Sequence, residues 1–223
     1  MITLSPITEP AKLEEYFKFR YRIYSESRNR VFLDPDQKGF DRDVHDDRAM
    51  HFGWYVKEEL VGCERMIPIA RVEDMYQLET IPDPMDRSAV TSHIHGLLDE
   101  GTSIIESSRT CLKREFRSMS NARDLVIAIV RTAHEYGYDH GLFTCDYSQA
   151  GFYRWMGLEI IEGTAPYPIK DSGLTKCVIH GTYSGIMQRD LELRNRKSKT
   201  RSSRPNSTSL HILTTQPKVR AGA

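Results

Sequence analysis

Apolar positions along the chain change rhythm several times, and each rhythm predicts an element. Leu13, Phe17, Tyr21 and Tyr24 recur at i, i+4, i+8 and i+11, with Pro10 in the first turn and Thr8 placed to cap, which predicts a first helix. From residue 25 to 47 that periodicity disappears. Asp34-Pro35-Asp36 and Lys38-Gly39 mark turns, and acidic residues gather after Gly39. Residues 51–56 and 60–69 are strand-like runs joined by Lys57-Glu58-Glu59, which reads as a hairpin. Residues 71–100 are mixed, with a helix predicted over 88–98.

The second half is more regular. Residues 103–112 read as a strand and 113–121 as a polar, basic loop. In the helix predicted over 122–136, Leu125, Val126, Ile129, Val130, Ala133 and Tyr136 form one apolar face and Gly137 stops it. A short buried strand (141–145), an aromatic helix (147–156, ended by Gly157) and two further strands (158–162 and 175–183) follow. A strand–loop–helix–strand unit flanked by antiparallel runs predicts an α/β fold: a mixed, mostly antiparallel sheet of about six or seven strands with helices on both faces. This is the order of acetyltransferase-like (GNAT) domains. The phrase Phe152-Tyr153-Arg154-Trp155-Met156-Gly157-Leu158 resembles their helix ending, in which an aromatic packs beside the acyl donor's thioester.

Charge divides the chain. Its 31 basic and 31 acidic residues cancel, yet residues 193–223 hold eight basic residues and no acid, leaving a net −8 on residues 1–192. The basic segment is also rich in Ser, Thr, Pro and Asn. It reads as a solvated, disordered tail, making residues 1–190 the acyltransferase-like domain and 191–223 an extension for which a nucleic-acid partner is not expected. No apolar run is long enough for a membrane span, and no secretory signal is visible, so a cytoplasmic enzyme is expected. Cys63, Cys111, Cys145 and Cys177 form no C-x-x-C pair and read as buried thiols. His93-x-His95 is the one close histidine pair, and without a partner ligand it predicts no metal site.

Five short pieces carry the chemistry. Phe19-Arg20-Tyr21-Arg22-Ile23-Tyr24 ends the first helix. Asp41-x-Asp43-x-x-Asp46 lies in the acidic loop. Gly62-Cys63-Glu64-Arg65-Met66-Ile67-Pro68 forms the second hairpin strand. Glu106-Ser107-Ser108-Arg109 sits on the central strand, and residues 113–123 follow it. In order and spacing these resemble the LuxI-type autoinducer synthases, which make acyl-homoserine lactones, and the helix ending also looks like that of their sister group, the N-acyl amino acid synthases. Residue by residue, Arg20 and Tyr24 match the family's helix pair, Asp41, Asp43 and Asp46 its acidic run, Arg65 its strand arginine, and Glu106 and Arg109 its Glu-x-Ser-Arg motif. Arg30, Ile105 and Ile69 stand where the LuxI family has Trp, Trp and Thr, positions that help shape its S-adenosylmethionine pocket. The sister group shares the acyl-transfer machinery without that pocket.

The resemblance implies an N-acyltransferase that moves a fatty acyl group from acyl-carrier protein to an amine, with S-adenosylmethionine as substrate and an acyl-homoserine lactone signal as product, and with no bound cofactor. Acylation of a free amino acid is the alternative. A non-catalytic binding module with a nucleic-acid-binding tail is the third. An amine attacks a thioester only when deprotonated, which makes Glu106 the candidate base, while Asp43 and Asp46 could hold the ammonium. Arg20, Arg65 and Arg109 can tie the acidic loop to the sheet through bidentate pairs, so the whole set can also be read as a loop anchor. Phe143, Phe152, Trp155 and Met156 are candidate acyl-pocket residues. Lys113, Arg114 and Arg117, in a loop without glycine, suggest a surface for an acidic carrier protein.

Overall fold

The computed structural model describes residues 2–202. An eight-stranded sheet runs in the order β1-β2-β3-β4-β5-β8-β6, with β7 also paired to β8. The long strands are β2 (Met50–Val56), β3 (Glu59–Ile69), β4 (Ile104–Leu112), β5 (His140–Asp146) and β8 (Leu174–Thr182). The count exceeds the expected six or seven because β1 (Ser5–Pro6) and β7 (Tyr167–Ile169) are present, while β6 (Glu159–Ile160) is what forms of the strand expected over 158–162. Pieces of two or three residues are too short to show a period.

Helix α1 (Pro10–Ser25) starts as expected at its proline, but the cap position falls on Glu9, whose side chain makes no capping bond. The β2–β3 hairpin turns on Lys57 and Glu58 alone, both at positive φ (49° and 66°), the left-handed pair that a two-residue turn requires. Helix α2 (Pro84–Asp99) is capped by Asp83, and α3 (Met119–Glu135) by Ser118. Gly137, at φ 88°, closes α3 in a conformation that a side chain would resist. Helix α4 (Ala150–Trp155) is short. Helix α5 (Tyr183–Ser202) carries the chain into the segment read as a solvated tail; residues 203–223 of that segment lie outside the described residues.

Alternation along the strands sorts the core onto two faces. Met66 and Ile105 pack with Leu125, Ile127 and Val130 of α3 and with Ala150 of α4. On the other face, Ile67, Ile104 and Leu142 pack with Val90 and Ile94 of α2, while Cys63 and Cys111 meet Tyr16, Phe17 and Phe19 of α1. All four cysteines are free and buried.

The sheet opens at its centre. Parallel pairing of β4 with β5 holds only for Ile104↔His140, Ile105↔Gly141 and Glu106↔Leu142. Both strands continue, β4 to Leu112 beside β3 and β5 to Asp146 beside β8, without further pairing to each other. The split begins at Glu106.

Candidate active site

A bulge on β4 gathers the charged residues. Between Cys63↔Cys111 and Arg65↔Ser108, β3 advances two residues while β4 advances three, and the extra residue accompanies Arg109 at φ 54°. In unbroken alternation, Glu106 and Arg109 would point to opposite faces. The bulge resets the alternation, so Glu106, Ser108 and Arg109 share the α1/α2 face and Ser107 and Thr110 share the α3 face. A non-glycine residue held in the left-handed region is strained, and such strain persists only where surrounding contacts enforce it.

Those contacts are ionic. Arg20 on α1 is fully buried and donates to Asp41 Oδ2 (2.8 Å) and to both oxygens of Asp46 (2.7 and 3.2 Å), with its guanidinium over the rings of Tyr16 and Phe17. Arg65 on β3, also fully buried, donates to Asp43 Oδ1 (2.7 Å) and Ser108 Oγ (2.9 Å) and lies 3.3 Å from Asp46 Oδ1. Arg109 donates to Asp43 Oδ2, the Tyr76 hydroxyl and the Phe32 carbonyl, each at 3.2 Å, and lies over the rings of Tyr24 and Tyr76. Three arginines thus meet three aspartates, all six predicted from sequence, and Tyr24 joins them. Burial works against ionisation of Asp46, but Arg20 and Arg65 outweigh it and hold the carboxyl down to about 2. Both Asp46 oxygens are taken, one by the two arginines and one by Arg20 and the Asp43 N–H. Asp43 spends its oxygens on Arg65, Arg109 and the His45 N–H. This geometry is that of a locked loop.

Glu106 stands outside the balanced set. It is fully buried, and its Oε2 accepts the Gln77 N–H at 3.3 Å, while Oε1 has no partner. Burial drives its carboxyl up to about 8, with Gln77 and Arg65 offsetting only part of the shift. Arg65 Nη2, on the same face of the adjacent strand, is likewise without a partner. Glu106 and Arg65 line neither cavity at the split, but their neighbours Gln77, Ser107 and Ser108 do, and a buried acceptor and donor left open one residue away are features that a polar group could complete.

Two cavities meet at the split. The larger, of about 500 Å³, lies between the sheet and α3 and is lined by Leu125, Ile129, Phe143, Phe152 and Tyr183 among others. The smaller and more polar, of about 160 Å³, includes Tyr76, Gln77, Arg109, Thr144, Asp146 and Lys176 in its lining. Ser107, Thr110, Phe143 and Tyr153 line both. Of the four aromatic and apolar residues expected at an acyl pocket, Phe143 and Phe152 are there. Met156 is instead fully buried in the core, and Trp155 is turned outward, 39% exposed, beneath the Arg123 guanidinium. The three-residue turn Tyr147–Gln149 before α4 sets that helix's phase, which aromatic content alone does not reveal.

Glu64 escaped the sequence reading. It is fully buried on the α3 face, where Thr110 Oγ1 donates to its Oε2 (2.5 Å) and Oε1 has no partner. Burial raises its carboxyl to about 8 against the opposing hydroxyls of Thr110 and Ser107. Its signal was an acid inside a strand that is apolar on both faces. In the basic loop, Lys113 is paired with Glu59, Arg117 donates to the Leu112 carbonyl (2.9 Å) at the rim of the larger cavity, and Arg114 is exposed.

A mixed sheet split beside its central strand, with an apolar cavity opening at the gap, defines an acyltransferase of the GNAT-like class. The chain belongs to the FeeM N-acyl amino acid synthase family, which it matches over residues 15–172. Its fold is that of the CoA-dependent acyl-homoserine lactone synthase BjaI (TM-score 0.62, 18% identity, covering 89% of this chain and 90% of that one). It is also that of FeeM, an N-acyl amino acid synthase from uncultured soil microbes (0.57, 16%, 85% and 94%), and of a putative N-acetyltransferase from Lactobacillus plantarum (0.53, 16%, 82% and 98%). No curated protein sequence matches the chain. No helix among the described residues is long and apolar enough to cross a membrane.

Proposed function

We propose that the protein transfers an acyl chain from a phosphopantetheine thioester to the α-amine of a free amino acid. The observation that carries this reading is the small polar cavity in the split, about 160 Å³. Sites for drug-sized ligands are usually about 300–1,000 Å³, so this space suits one amino acid better than an adenosyl-bearing sulfonium. Arg109, Tyr76 and Phe32 separate it from the outer groove that runs along the acidic loop. Arg109 and Lys176 offer cations for a carboxylate. Ile105 and Ile69, both buried, and the exposed Arg30 occupy positions that shape the S-adenosylmethionine pocket in the LuxI family.

In this reading the acyl chain lies in the larger cavity against Phe143 and Phe152. The amine reaches the thioester carbonyl through the split, where Glu106 takes its proton as the nitrogen–carbon bond forms. Collapse of the tetrahedral adduct breaks the carbon–sulfur bond, and the thiolate leaves with a proton returned through Glu106. Asp41, Asp43 and Asp46, held by Arg20, Arg65 and Arg109, position the wall of the cavity and do not touch the reacting atoms. The donor is acyl-carrier protein, and Arg114 is the loop cation facing its acidic surface.

Purified protein is incubated with acyl-carrier protein thioester or acyl-coenzyme A, together with standard amino acids or S-adenosylmethionine, and analysed by thiol release and mass spectrometry. An N-acyl amino acid with its carboxylate free is expected. An acyl lactone with methylthioadenosine would overturn the acceptor, and turnover with coenzyme A alone would overturn the donor.

A further inference from the structure

We infer that His93, His140 and His180 form a binding site for one divalent first-row metal ion, of which zinc is the best fit. The three come from α2, β5 and β8 and share the α1/α2 face of the sheet. His93 Nε2 lies 3.1 Å from His180 Nδ1, and His140 Nε2 lies 3.0 Å from the same atom. One nitrogen from each ring falls within 4.8 Å of the other two.

Hydrogen bonding alone explains this poorly. A neutral imidazole nitrogen carries either one proton or one lone pair. His180 Nδ1 therefore serves one partner well, and the second close nitrogen adds only repulsion. A cation removes the conflict because all three lone pairs then point inward. Two imidazoles on a tetrahedral zinc place their nitrogens about 3.3 Å apart, given bonds of about 2.0–2.1 Å; the two edges that meet at His180, 3.1 and 3.0 Å, are close to that, and the third is within 4.8 Å. Imidazole ligands favour zinc and its borderline neighbours over magnesium or calcium. His93 and His180 are part-exposed, which leaves a side open for a fourth, solvent ligand. The ion would fasten α2 to the β5–β8 pair, beside its apolar contacts Val90 and Ile94.

The test uses tag-free, full-length protein stripped with a chelator and desalted. Zinc is titrated against a chromophoric competitor, cobalt(II) is added to a second sample, and thermal midpoints are recorded with and without zinc. One equivalent of zinc should bind, cobalt should give the intense visible bands of a four- or five-coordinate site, and zinc should raise the midpoint. His93→Gln, at a half-buried ring that the fold tolerates losing, should weaken binding more than about 100-fold, beyond the loss seen when a supporting partner is removed. It should also abolish the thermal shift. His95→Ala, on the same helix but exposed, should change neither. Sub-stoichiometric binding to the wild type, or equal binding by His93→Gln, would overturn the site.

Discussion

Replacing Glu106 with Gln separates proton transfer from shape. The wild-type carboxyl is pushed up to about 8 by burial, so at pH 7 about a tenth of the enzyme carries the ionised base, and kcat/KM should rise about tenfold from pH 7 to a plateau above pH 9. Gln fills the same space, its carbonyl can accept the Gln77 N–H, and it cannot take a proton. Turnover should fall by ~10²–10⁴-fold, with cooperative unfolding retained. The substrate amine also titrates in this range, so the profiles must be compared: the limb near 8 belongs to Glu106 only if it vanishes in the residual activity of Glu106→Gln. Stability supplies an independent readout. A carboxyl whose folded pKa is raised contributes stability that is complete below its ordinary value and is lost as pH rises through about 8. Glu106→Gln should therefore gain on the wild type in urea unfolding between pH 5 and pH 8. Activity within a few-fold of wild type, with the limb near 8 unchanged, would refute the base assignment.

Other perturbations probe the supporting structure. Arg20→Met strips charge from two buried carboxylates and should cost about 3–5 kcal/mol in urea unfolding. Adding Asp46→Asn should recover part of that loss, and a single-variant cost under about 1 kcal/mol would show that Arg65 and Arg109 suffice. Glu64→Gln should likewise flatten the decline in stability between pH 5 and pH 8, since that carboxyl is also raised to about 8. An unchanged slope in chemical denaturation would mean that Glu64 stays ionised beside Thr110.

Much of this architecture was legible because long elements repeat their signal. The α1 stripe, the β2–β3 hairpin and the α3 face each extend over several periods, so tertiary context had little to override. The ionic cluster was legible for a different reason. Arg20, Arg65 and Arg109 sit among apolar residues in elements that must be buried, and only the acidic loop offered them partners. Trp155 and Met156 were assigned by residue type, but the turn before α4 decides which of them meets the cavity. His93, His140 and His180 lie far apart in the chain, and only the packing of α2 over β5 and β8 brings them together.

The bulge at Arg109 also has a consequence for how the chain finds its pairing. β3 and β4 are sequential neighbours in the sheet, yet the excursion from Ile69 to Ile104, including α2, separates them, so no tight turn dictates their alignment. Sliding one strand by two residues would keep every side chain on its original face, and hydrophobicity alone scarcely penalises that error. Two local features do. Gly62 must lie opposite Leu112, since a Cβ there would come within 2.7 Å of the leucine side chain. The extra residue must also fall where Arg109 can reach Asp43 while Arg65 reaches Ser108. The Arg65–Ser108 and Arg109–Asp43 contacts thus serve as the alignment key of the central strand pair, and replacing Arg109 should slow refolding by admitting the slipped pairing.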